Sequence, residues 1–372
     1  MKILQLGKFY PIRGGVEKVM YDIMLGLSER NIYCDMLCAS TEDHPSGVIH
    51  VNSHANVIVV KTTLKASATM LAPLMIPKLR EIAANYDIIH IHHPDPMGAL
   101  ALFLSGFKGK VILHWHSDIV KQKKLLKLYK PLQTWLIKRA DLIVGTTPVY
   151  VENSRFLEKH QHKIDYIPIG VEKVVASELL VEKIVEKYKD NFLVFSLGRL
   201  VEYKGFEFLI KSAKFLPSHY KIVIGGKGPL KSELEELIIN EGLADKVVLL
   251  GYLTDEEANA YFEACDIYVL SSIMKTEAFA IVQIEAMSLG KPVVTAHIPE
   301  SGVSWVNEHM VSGLVCEAMN PSDLAEKILN IGEDNDLKQK LSEGAKLRYD
   351  TFFRKEVMID KSISLYLNVL SK

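Results

Sequence analysis

The sequence has few cysteines and no long apolar run. Its four cysteines among 372 residues form neither C-x-x-C pairs nor a dense framework. This excludes a disulfide-stapled scaffold and predicts buried thiols in a reducing compartment. No stretch reaches the ~18 apolar residues of a membrane span, and the apolar part of MKILQLGKFYP is too short for a signal peptide. We therefore expect a cytoplasmic protein.

An excess of one charge is also missing, because the net charge is −1. The charge is nevertheless divided unevenly: residues 1–170 hold 21 Lys+Arg against 14 Asp+Glu (+7), and residues 171–372 hold 23 against 31 (−8). Residues 121–139, KQKKLLKLYKPLQTWLIKR, contain seven basic residues and no acidic one. This composition is typical of a helix on an anionic membrane surface, with a solvated charged face as the alternative. No recognised nucleic-acid motif accompanies it, so nucleic acid is not an expected partner.

Short apolar runs alternate with helix-length amphipathic segments along the chain. The alternation starts at KILQLG and again at FLVFSLG, after residue 190. This pattern predicts two α/β domains, each with a doubly wound, Rossmann-like parallel sheet, facing each other across a cleft. The expected organisation is an N-terminal domain (1–170), a linker (171–190), a C-terminal domain (191–350) and a C-terminal helix (351–372) that could pack back on the N-terminal domain.

A glycine pair follows the first predicted strand, in GKFYPIRGGVEKVMYDI. Gly14 and Gly15 allow close backbone approach to a ligand, and the following helix start presents unpaired N–H groups to an anion. A plain turn is the alternative. The stretch lacks the G-x-G-x-x-G order of a dinucleotide site, which argues against a nicotinamide enzyme.

Cations and glycines follow two strands of the second domain. In SLGRLVEYKGFEFLI, Arg199 and Lys204 come just after a strand, where a guanidinium and an ammonium together can clamp a diphosphate. In IVIGGKGPLKSELEEL, Gly226 and Gly228 permit close approach to a nucleotide or simply form a turn. Ligands of such sheets sit beyond the carboxyl ends of the strands, which favours a binding role.

The stretch TEAFAIVQIEAM sets Glu277 and Glu285 eight positions apart around a helix start. If the helix begins near Phe279, the two carboxylates are roughly 9–12 Å apart by axial rise. A diphosphate on the N–H groups of residues 279–281 (Phe279, Ala280 and Ile281) would place one acid near a sugar and the other near a ribose. A lone Glu more often caps a helix or faces solvent, but the apolar surroundings of Glu285 favour a function.

Histidines end two further strands, in HIHHPDP and ILHWHSDIV. His116 is the candidate hydrogen-bond partner of a sugar, whereas His90 is expected in the core. His93 and Asp118 are candidates for the acceptor side of the site. No third ligand stands at a recognised metal spacing, so no metal site is expected.

Together these motifs resemble the retaining glycosyltransferases of family four, which have the GT-B fold. RGGVE, HSD, GRLVEYKG, GGKGP and EAFAIVQIE occur in the family's order over nearly the whole chain. The resemblance implies that the first domain binds acceptor and the second a nucleoside-diphosphate sugar. It also implies roles for six residues: diphosphate binding by Arg199 and Lys204, approach to it by Gly15, donor-sugar contacts by Glu277 and His116, and ribose binding by Glu285.

The resemblance further implies transfer with retention of anomeric configuration by front-face attack, without a protein nucleophile or cofactor. HWHSDIVKQ is similar to bacterial mannosyl and rhamnosyl transferases of surface polysaccharide, including the O-antigen of lipopolysaccharide. GDP-mannose is therefore the leading donor, ahead of a UDP-hexose or UDP-N-acetylhexosamine, with a saccharide or lipid-linked acceptor at the inner face of the membrane. The chain departs from the family at Ala278 and Ala280, where glycine is frequent. A sugar-nucleotide 2-epimerase and a non-enzymatic two-lobed sugar-binding protein are the rival functions.

Overall fold

The computed structural model describes residues 1–12, 14–41, 44–66, 69–119 and 123–372. These residues form two compact units. The first consists of Met1–Gly170 and Lys355–Lys372, and the second of Val171–Arg354. No helix among these residues is both long enough and apolar enough to cross a bilayer.

The first unit is built around a mostly parallel sheet. Its strands, β1 to β10, are Lys2–Tyr10, Tyr33–Ser40, Gly47–Asn52, Ala55–Val60, Leu64–Ala66, Thr69–Leu71, Ile88–His93, Lys110–Trp115, Leu142–Gly145 and Ile164–Tyr166. Eight of them form one sheet in the order β10-β9-β8-β7-β1-β2-β4-β3, and β5 pairs with β6 separately. The first helices, α1 to α5, are Val16–Ser28, Met75–Ile82, Pro96–Ser105, Lys123–Arg139 and Pro148–Glu152.

The second unit has a fully parallel six-stranded sheet. Its strands, β11 to β16, are Phe192–Leu197, Tyr220–Gly225, Val247–Gly251, Ile267–Leu270, Val293–His297 and Gly313–Glu317, in the order β13-β12-β11-β14-β15-β16. Its helices, α6 to α13, are Glu178–Lys187, Phe206–Ser212, Lys231–Asn240, Asp255–Ala264, Ile281–Ser288, Val303–Val306, Pro321–Glu333 and Asn335–Arg348. The last helix, α14, is Lys355–Leu370 and belongs to the first unit.

The apolar runs of the sequence coincide with buried parallel strands. All six residues of β7 are buried, and so are the four of β14. Strands covered on both faces bury continuous apolar segments, and for this reason the α/β class and the two Rossmann-like sheets could be predicted. Both are confirmed. The β3–β4 edge hairpin, which is antiparallel and has a half-exposed outer strand, was not predicted from the sequence.

The predicted linker 171–190 is wrong, because this segment is part of the second unit. It contains α6, which packs against α9. Ile184 and Tyr188, one helical turn apart, are 9% and 5% exposed. The high charge of ELLVEKIVEKYKDN lies on the outer face of the helix and conceals this apolar contact.

Both sheets contain a point where the strand order reverses. In the first unit the chain starts at β1 and extends to β2 on one side and β7 on the other. In the second unit it starts at β11 and extends to β12 on one side and β14 on the other. Loops leave such neighbouring strands toward opposite faces and open a crevice at their carboxyl ends, where α/β proteins bind ligands.

Candidate active site

A buried ion pair lies at the reversal point of the second sheet. Lys204, in the loop after β11, forms a salt bridge with Glu277, in the loop after β14. The Ser272 hydroxyl donates to the same Glu277 carboxylate oxygen at 2.8 Å. Lys204 is 8% and Glu277 9% exposed. A buried charge requires a partner, and here each supplies the other.

The loops after β11 and β14 touch, and this contact positions Lys204. The Ser271 hydroxyl donates to the Lys204 carbonyl at 2.9 Å, and the Ile273 N–H donates to the Tyr203 carbonyl at 2.9 Å. Gly205 has φ +61°, and a Cβ there would lie 2.4 Å from the Ser271 carbonyl oxygen. Only glycine allows this approach.

Arg199 lies at the carboxyl end of β11 and is exposed. Its guanidinium makes no hydrogen bond or ion pair with the other residues that the structure describes. It is thus a cation close in sequence to Lys204 whose donors are available to an anionic ligand.

Gly226 and Gly228 have an internal structural role. A Cβ on Gly226 would lie 1.9 Å from the Gly198 carbonyl oxygen, and one on Gly228 would lie 2.3 Å from the Leu200 carbonyl oxygen. The loop after β12 therefore needs both glycines in order to pack on the loop that carries Arg199. Direct contact of these glycines with a donor stays a prediction.

Helix α10 begins at Ile281, two residues after the predicted start, and no side chain caps it. The residue before it, Ala280, has φ +62°, in the left-handed region that favours glycine. The Phe279 side chain is buried and packs edge-on against Phe353 at 5.9 Å between ring centroids. The Phe279 ring is therefore part of the core, whereas the first-turn N–H groups of α10 face no capping side chain. Donor binding by the N–H groups of Phe279, Ala280 and Ile281 stays a prediction.

Glu285 is half-buried in the second turn of α10. Burial raises the pKa of the Tyr268 hydroxyl, and the negative charges of Glu285 and Glu277 raise it further. Both carboxylates therefore lie near Tyr268, whose hydroxyl donates to the Leu197 carbonyl at 3.2 Å. The predicted placement of the two acids on either side of a diphosphate stays a prediction.

The glycine pair of the first unit precedes α1 at the carboxyl end of β1. Gly14 and Gly15 have φ +121° and +60°, and a Cβ on Gly14 would meet nothing within 4 Å. Gly15 caps α1 without any side-chain hydrogen bond to the helix. The neighbouring Arg13 lies outside the described residues. The open space and the uncapped helix start favour an anion here.

A second charged cluster in the first unit was not anticipated. The Lys8 N–H donates to the Asp95 carboxylate, and Lys8 Nζ donates to the Pro94 carbonyl at 2.6 Å. Burial lowers the pKa of Lys8 and raises that of Glu17, and their opposite charges oppose both shifts. These residues line a cavity of about 60 Å³. This cluster could have been predicted from the sequence, because Lys8 and Asp95 lie near the ends of two predicted strands, which are neighbours in the sheet.

The histidines divide between the two faces of the first sheet. His116 is 5% exposed, and its Nε2 lies 2.9 Å from His92 Nδ1. His93 is fully buried, with its ring stacked on Trp115 at 3.7 Å. The prediction that His93 contacts an acceptor is therefore wrong: it is the last residue of β7, and it points into the core on the opposite face from His116.

Asp118 has internal partners. One carboxylate oxygen accepts from Trp115 Nε1 at 2.9 Å and from the Ser154 hydroxyl at 2.8 Å. The Asp118 N–H donates to the Tyr150 hydroxyl at 2.9 Å. These contacts fix the loop after β8, and a contact with acceptor stays a prediction.

Three buried imidazoles raise the question of a metal. Ring nitrogens of His90, His92 and His114 lie within 4.8 Å of one another. Both His92 nitrogens are engaged, with His116 Nε2 at 2.9 Å and Gln5 Oε1 at 2.7 Å, so two imidazoles remain as ligands. The expectation of a metal-free site stays a prediction.

Comparison with known proteins identifies the family. Residues 13–173 match the model for Glycosyltransferase Family 4, and residues 180–348 match that for Glycosyl transferases group 1. The chain is 32% identical to O-antigen chain mannosyltransferase C of Escherichia coli over 100% of this chain and 99% of that protein. It is 29% identical to D-rhamnosyltransferase WbpZ of Pseudomonas aeruginosa over 95% of this chain and 92% of that protein.

Solved structures are similar over the full chain. Sucrose-phosphate synthase from Thermosynechococcus elongatus has a TM-score of 0.80 at 19% identity and covers 100% of both chains. Anabaena Alr3699/HepE in complex with UDP-glucose has a TM-score of 0.76 at 22% identity, over 99% of this chain and 100% of that one. These likenesses confirm the GT-B fold. The chain belongs to the group 1, family 4 glycosyltransferases.

Proposed function

We propose that the protein is a retaining hexosyltransferase of cell-surface polysaccharide synthesis. It would move a hexose, with mannose from GDP-mannose as the leading choice, to a saccharide or lipid-linked saccharide. The observation that carries the proposal is the buried Lys204–Glu277 pair beside the uncapped start of α10. The full-length similarity to an O-antigen mannosyltransferase and a rhamnosyltransferase supports the class of sugar and of product.

The second unit supplies the charges that such a reaction needs. As the donor's glycosidic bond breaks, negative charge develops on the departing diphosphate. Arg199, Lys204 and the first-turn N–H groups of α10 would stabilise that charge in a partly dry setting. Glu277 would accept hydrogen bonds from hydroxyls of the transferred sugar, and Glu285 from the ribose. No step requires a metal or cofactor.

The pairing of Glu277 supports a mechanism without a protein nucleophile. The Lys204 ammonium and the Ser272 hydroxyl both donate to Oε2 of its carboxylate, and this charge pairing lowers the nucleophilicity of the carboxylate. Double displacement needs a second carboxylate about 5–5.5 Å from the first. Front-face attack, with the leaving phosphate accepting the acceptor's proton, fits this arrangement better.

Helix α4 of the first unit suggests where the enzyme acts. A groove of about 710 Å³ beside α4 is lined by Lys127, Lys130, Lys138, Arg155 and Lys159, with Glu158 as its acid, and by Ile137 and Phe156. Cations around an apolar floor suit an anionic lipid surface. We place the enzyme in the cytoplasm, peripherally on the inner face of the membrane.

A donor panel tests the proposal. The protein is incubated with GDP-mannose, UDP-glucose or UDP-N-acetylglucosamine, with and without a mannoside acceptor, and released nucleotide is measured. We expect nucleotide release that acceptor accelerates, greatest with GDP-mannose and unaffected by EDTA. A product whose anomeric proton shows the α configuration of the donor supports retention. An inverted product contradicts the mechanism, and binding without turnover contradicts an enzyme.

The same assay separates the rival functions. An epimerase converts the donor sugar at C2 without acceptor, and this appears as a new sugar nucleotide in the mixture. A sugar-binding protein is stabilised against heat by nucleotide sugar but releases no nucleotide. Transfer from UDP-sugars alone would retain the class of enzyme and replace the donor.

A further inference from the structure

Two rows of histidines line one face of the first sheet. β7 and β8 are parallel neighbours, and His92 lies opposite His114 in their register. Alternate residues of a strand point to the same face, so His90 and His92 of β7 lie beside His114 and His116 of β8. The first three are fully buried and His116 is 5% exposed.

A chain of hydrogen bonds connects His116 of β8 through His92 of β7 to Gln5 of β1. Gln5 Oε1 lies 2.7 Å from His92 Nε2, and His92 Nδ1 lies 2.9 Å from His116 Nε2. The two ring planes are inclined by only 16°, with centroids 5.2 Å apart. This is the geometry of two imidazoles bonded edge to edge, each nitrogen directing its proton or lone pair within the ring plane.

The amide of Gln5 gives the chain a direction. Its Nε2 donates to the Tyr366 hydroxyl at 3.3 Å and faces Cys34 Sγ at 3.7 Å, which leaves Oε1 toward His92. An amide oxygen only accepts, so His92 must carry its proton on Nε2 and accept at Nδ1. His116 then donates through Nε2 and keeps a lone pair on Nδ1.

Burial favours the neutral forms of His92 and His116. A neutral imidazole has a single N–H, so each ring has one defined tautomer. Burial lowers the pKa of His92 and of His116 well below the ordinary value. Neighbouring positive charge on His90, His114 or Lys8 would lower both further, and His93 acts in the same sense on His116. Among the described residues, His116 Nδ1 has no hydrogen-bond partner. It is also not one of the fully buried polar atoms that lack a partner.

We propose that Gln5 and His92 are positioning residues that hold His116 as its Nε2–H tautomer, so that Nδ1 accepts a hydrogen bond from a hydroxyl of the transferred sugar. The inference rests on the proposed function and deepens it. It assigns His116 the role of a neutral acceptor, which favours a sugar with a hydroxyl group at the contacted carbon. A 6-deoxy or other deoxy sugar would lose this bond if the missing hydroxyl is the contacted one.

The first test is the tautomer itself. Protein labelled with ¹⁵N-histidine is studied by long-range ¹H–¹⁵N correlation at pH 7.5, with signals assigned from His92→Asn and His116→Asn variants. We expect His92 and His116 as neutral Nε2–H tautomers. A His116 that is protonated on Nδ1, or charged, overturns the proposal, and so does a stoichiometric metal ion in the purified protein.

The second test breaks the chain at its far end. Gln5→Met keeps the side chain's length but removes the acceptor, so the His116 spectrum should become a mixture of tautomers. The KM for GDP-mannose should rise about two- to tenfold, the range of one net hydrogen bond, with kcat within about twofold. The matched control is Gln133→Met, the same change at a residue that is 1% exposed in α4, which should leave spectrum and KM unchanged.

Failure of the two proposals can be told apart. Mixed tautomers with an unchanged KM in Gln5→Met would overturn the positioning role. If the wild-type protein transfers sugar from no nucleotide donor, the proposed function fails, whereas the spectrum still decides the direction of the Gln5–His92–His116 chain. If Gln5→Met does not fold, the wild-type tautomers remain decisive.

Discussion

Lys204 and Glu277 illustrate what a single residue contributes to this site. Each is buried at the end of a different strand, and 73 positions separate them in the chain. Glu277 neutralises the ammonium and holds it at the sheet's reversal point. A binding group that is already oriented loses less conformational freedom when the ligand arrives.

Removing one partner of this pair should affect stability as well as catalysis. Lys204→Ala leaves a buried carboxylate with only a hydroxyl partner, and we expect a loss of about 3–5 kcal/mol in the free energy of unfolding. The double variant Lys204→Met/Glu277→Gln buries no charge and should recover most of that loss. Urea denaturation measures both. Equal destabilisation in the two variants would mean that the charge pair is not the cause.

Sugar transfer should respond differently from stability. Glu277→Gln keeps the shape of the side chain and an acceptor oxygen for the Lys204 ammonium, so we expect it to fold, with lower stability because the buried ammonium loses its counter-charge. Transfer should nevertheless fall about a hundredfold, because the Lys204 ammonium that stabilises the departing diphosphate loses the charge that holds it in place. The initial rate of nucleotide release at saturating donor is the measurement. A wild-type rate would remove Glu277 from the site.

Ala280 offers a test of backbone strain before α10. Alanine in the left-handed region costs about 1–2 kcal/mol, and glycine adds about 0.5–1 kcal/mol of chain entropy. Ala280→Gly should therefore stabilise the protein by about 0.5–1 kcal/mol. Ala278→Gly is the matched control, because Ala278 is not among the residues at positive φ, and it should destabilise slightly. Thermal unfolding that ranks the two variants in reverse would contradict the strain.

Lys204, Glu277 and Glu285 could be proposed from the sequence as candidate site residues, because each follows a strand or lies near a helix start at a reversal point. The sequence could not show that Lys204 and Glu277 contact each other, since the contact depends on how two distant loops pack. It misassigned His93 for a related reason. Adjacent residues of a strand face opposite sides, and a short run of polar residues does not reveal which side is buried.

At the scale of elements, β7, β8 and the residue that follows β8 contain five buried histidines. His90, His92, His93, His114 and His116 are all 5% exposed or less. Burial lowers the pKa of each, and that of His114 falls to about 3. The strands could be predicted from their apolar runs, but the alignment of the histidines depends on the register between them.

These imidazoles should make the first unit sensitive to acid. Below the unperturbed pKa of 6.5 the unfolded chain takes up protons that the folded strands exclude, so stability is greatest above that pH and falls as pH drops through it. Each imidazole contributes a slope of up to about 1.4 kcal/mol per pH unit. Urea midpoints between pH 7.5 and 5 measure the effect.

His114→Phe is the control for that slope. The ring of His114 stacks on His116 at 4.0 Å and its nitrogens lack partners in the described structure, so phenylalanine can keep the packing without binding a proton. The number of protons taken up on unfolding, given by the slope of the unfolding free energy with pH, should fall by about one. Unchanged dependence would assign the acid sensitivity to other groups.

The basic surface of α4 leads to a prediction about membranes. Lys127, Lys130 and Lys138 are exposed on this helix. Their triple change to Gln should weaken binding to phosphatidylglycerol vesicles on the order of a hundredfold, at about 1 kcal/mol per lysine. Added salt should weaken wild-type binding. Sedimentation with vesicles measures it. The residues 120–122 beside this helix lie outside the described chain.

A charge-matched variant controls for net charge. Lys183, Lys187 and Lys189 are exposed in and after α6 of the second unit. Changing them to Gln removes the same charge from another part of the protein and should leave vesicle binding unchanged. Equal weakening by both triple variants, or equal binding to neutral phosphatidylcholine, would contradict an α4 surface.

At the scale of the molecule, the second unit is inserted within the first. Residues 171–354 separate the first 170 residues from α14, which completes the first unit. α14 buries Met358, Ile359, Leu365, Tyr366 and Val369. It packs closely on α1, where a Cβ on Gly26 would lie 2.6 Å from Ile359.

Deleting residues 355–372 should therefore unfold the first unit. Its five buried apolar side chains are worth about 1.5–3 kcal/mol each, comparable to the whole stability of a domain. We expect rapid proteolysis within residues 1–170, while a fragment near residues 171–354 resists. Deletion of Ser371 and Lys372 alone, which are exposed, should leave the digestion pattern unchanged. Protection of both units in the long deletion would contradict this role of α14.

The insertion also orders events during translation. The 184 residues from 171 to 354 leave the ribosome before α14 does, which takes roughly 10–40 s at 5–20 residues per second. The second sheet can thus fold on the nascent chain before Tyr366 has been synthesised. During that time the histidine-lined face of the first sheet lacks its contact with Tyr366. A chaperone that shields this face would be needed most in that interval. Translation that stops before α14 would yield a product in which only the second unit is folded.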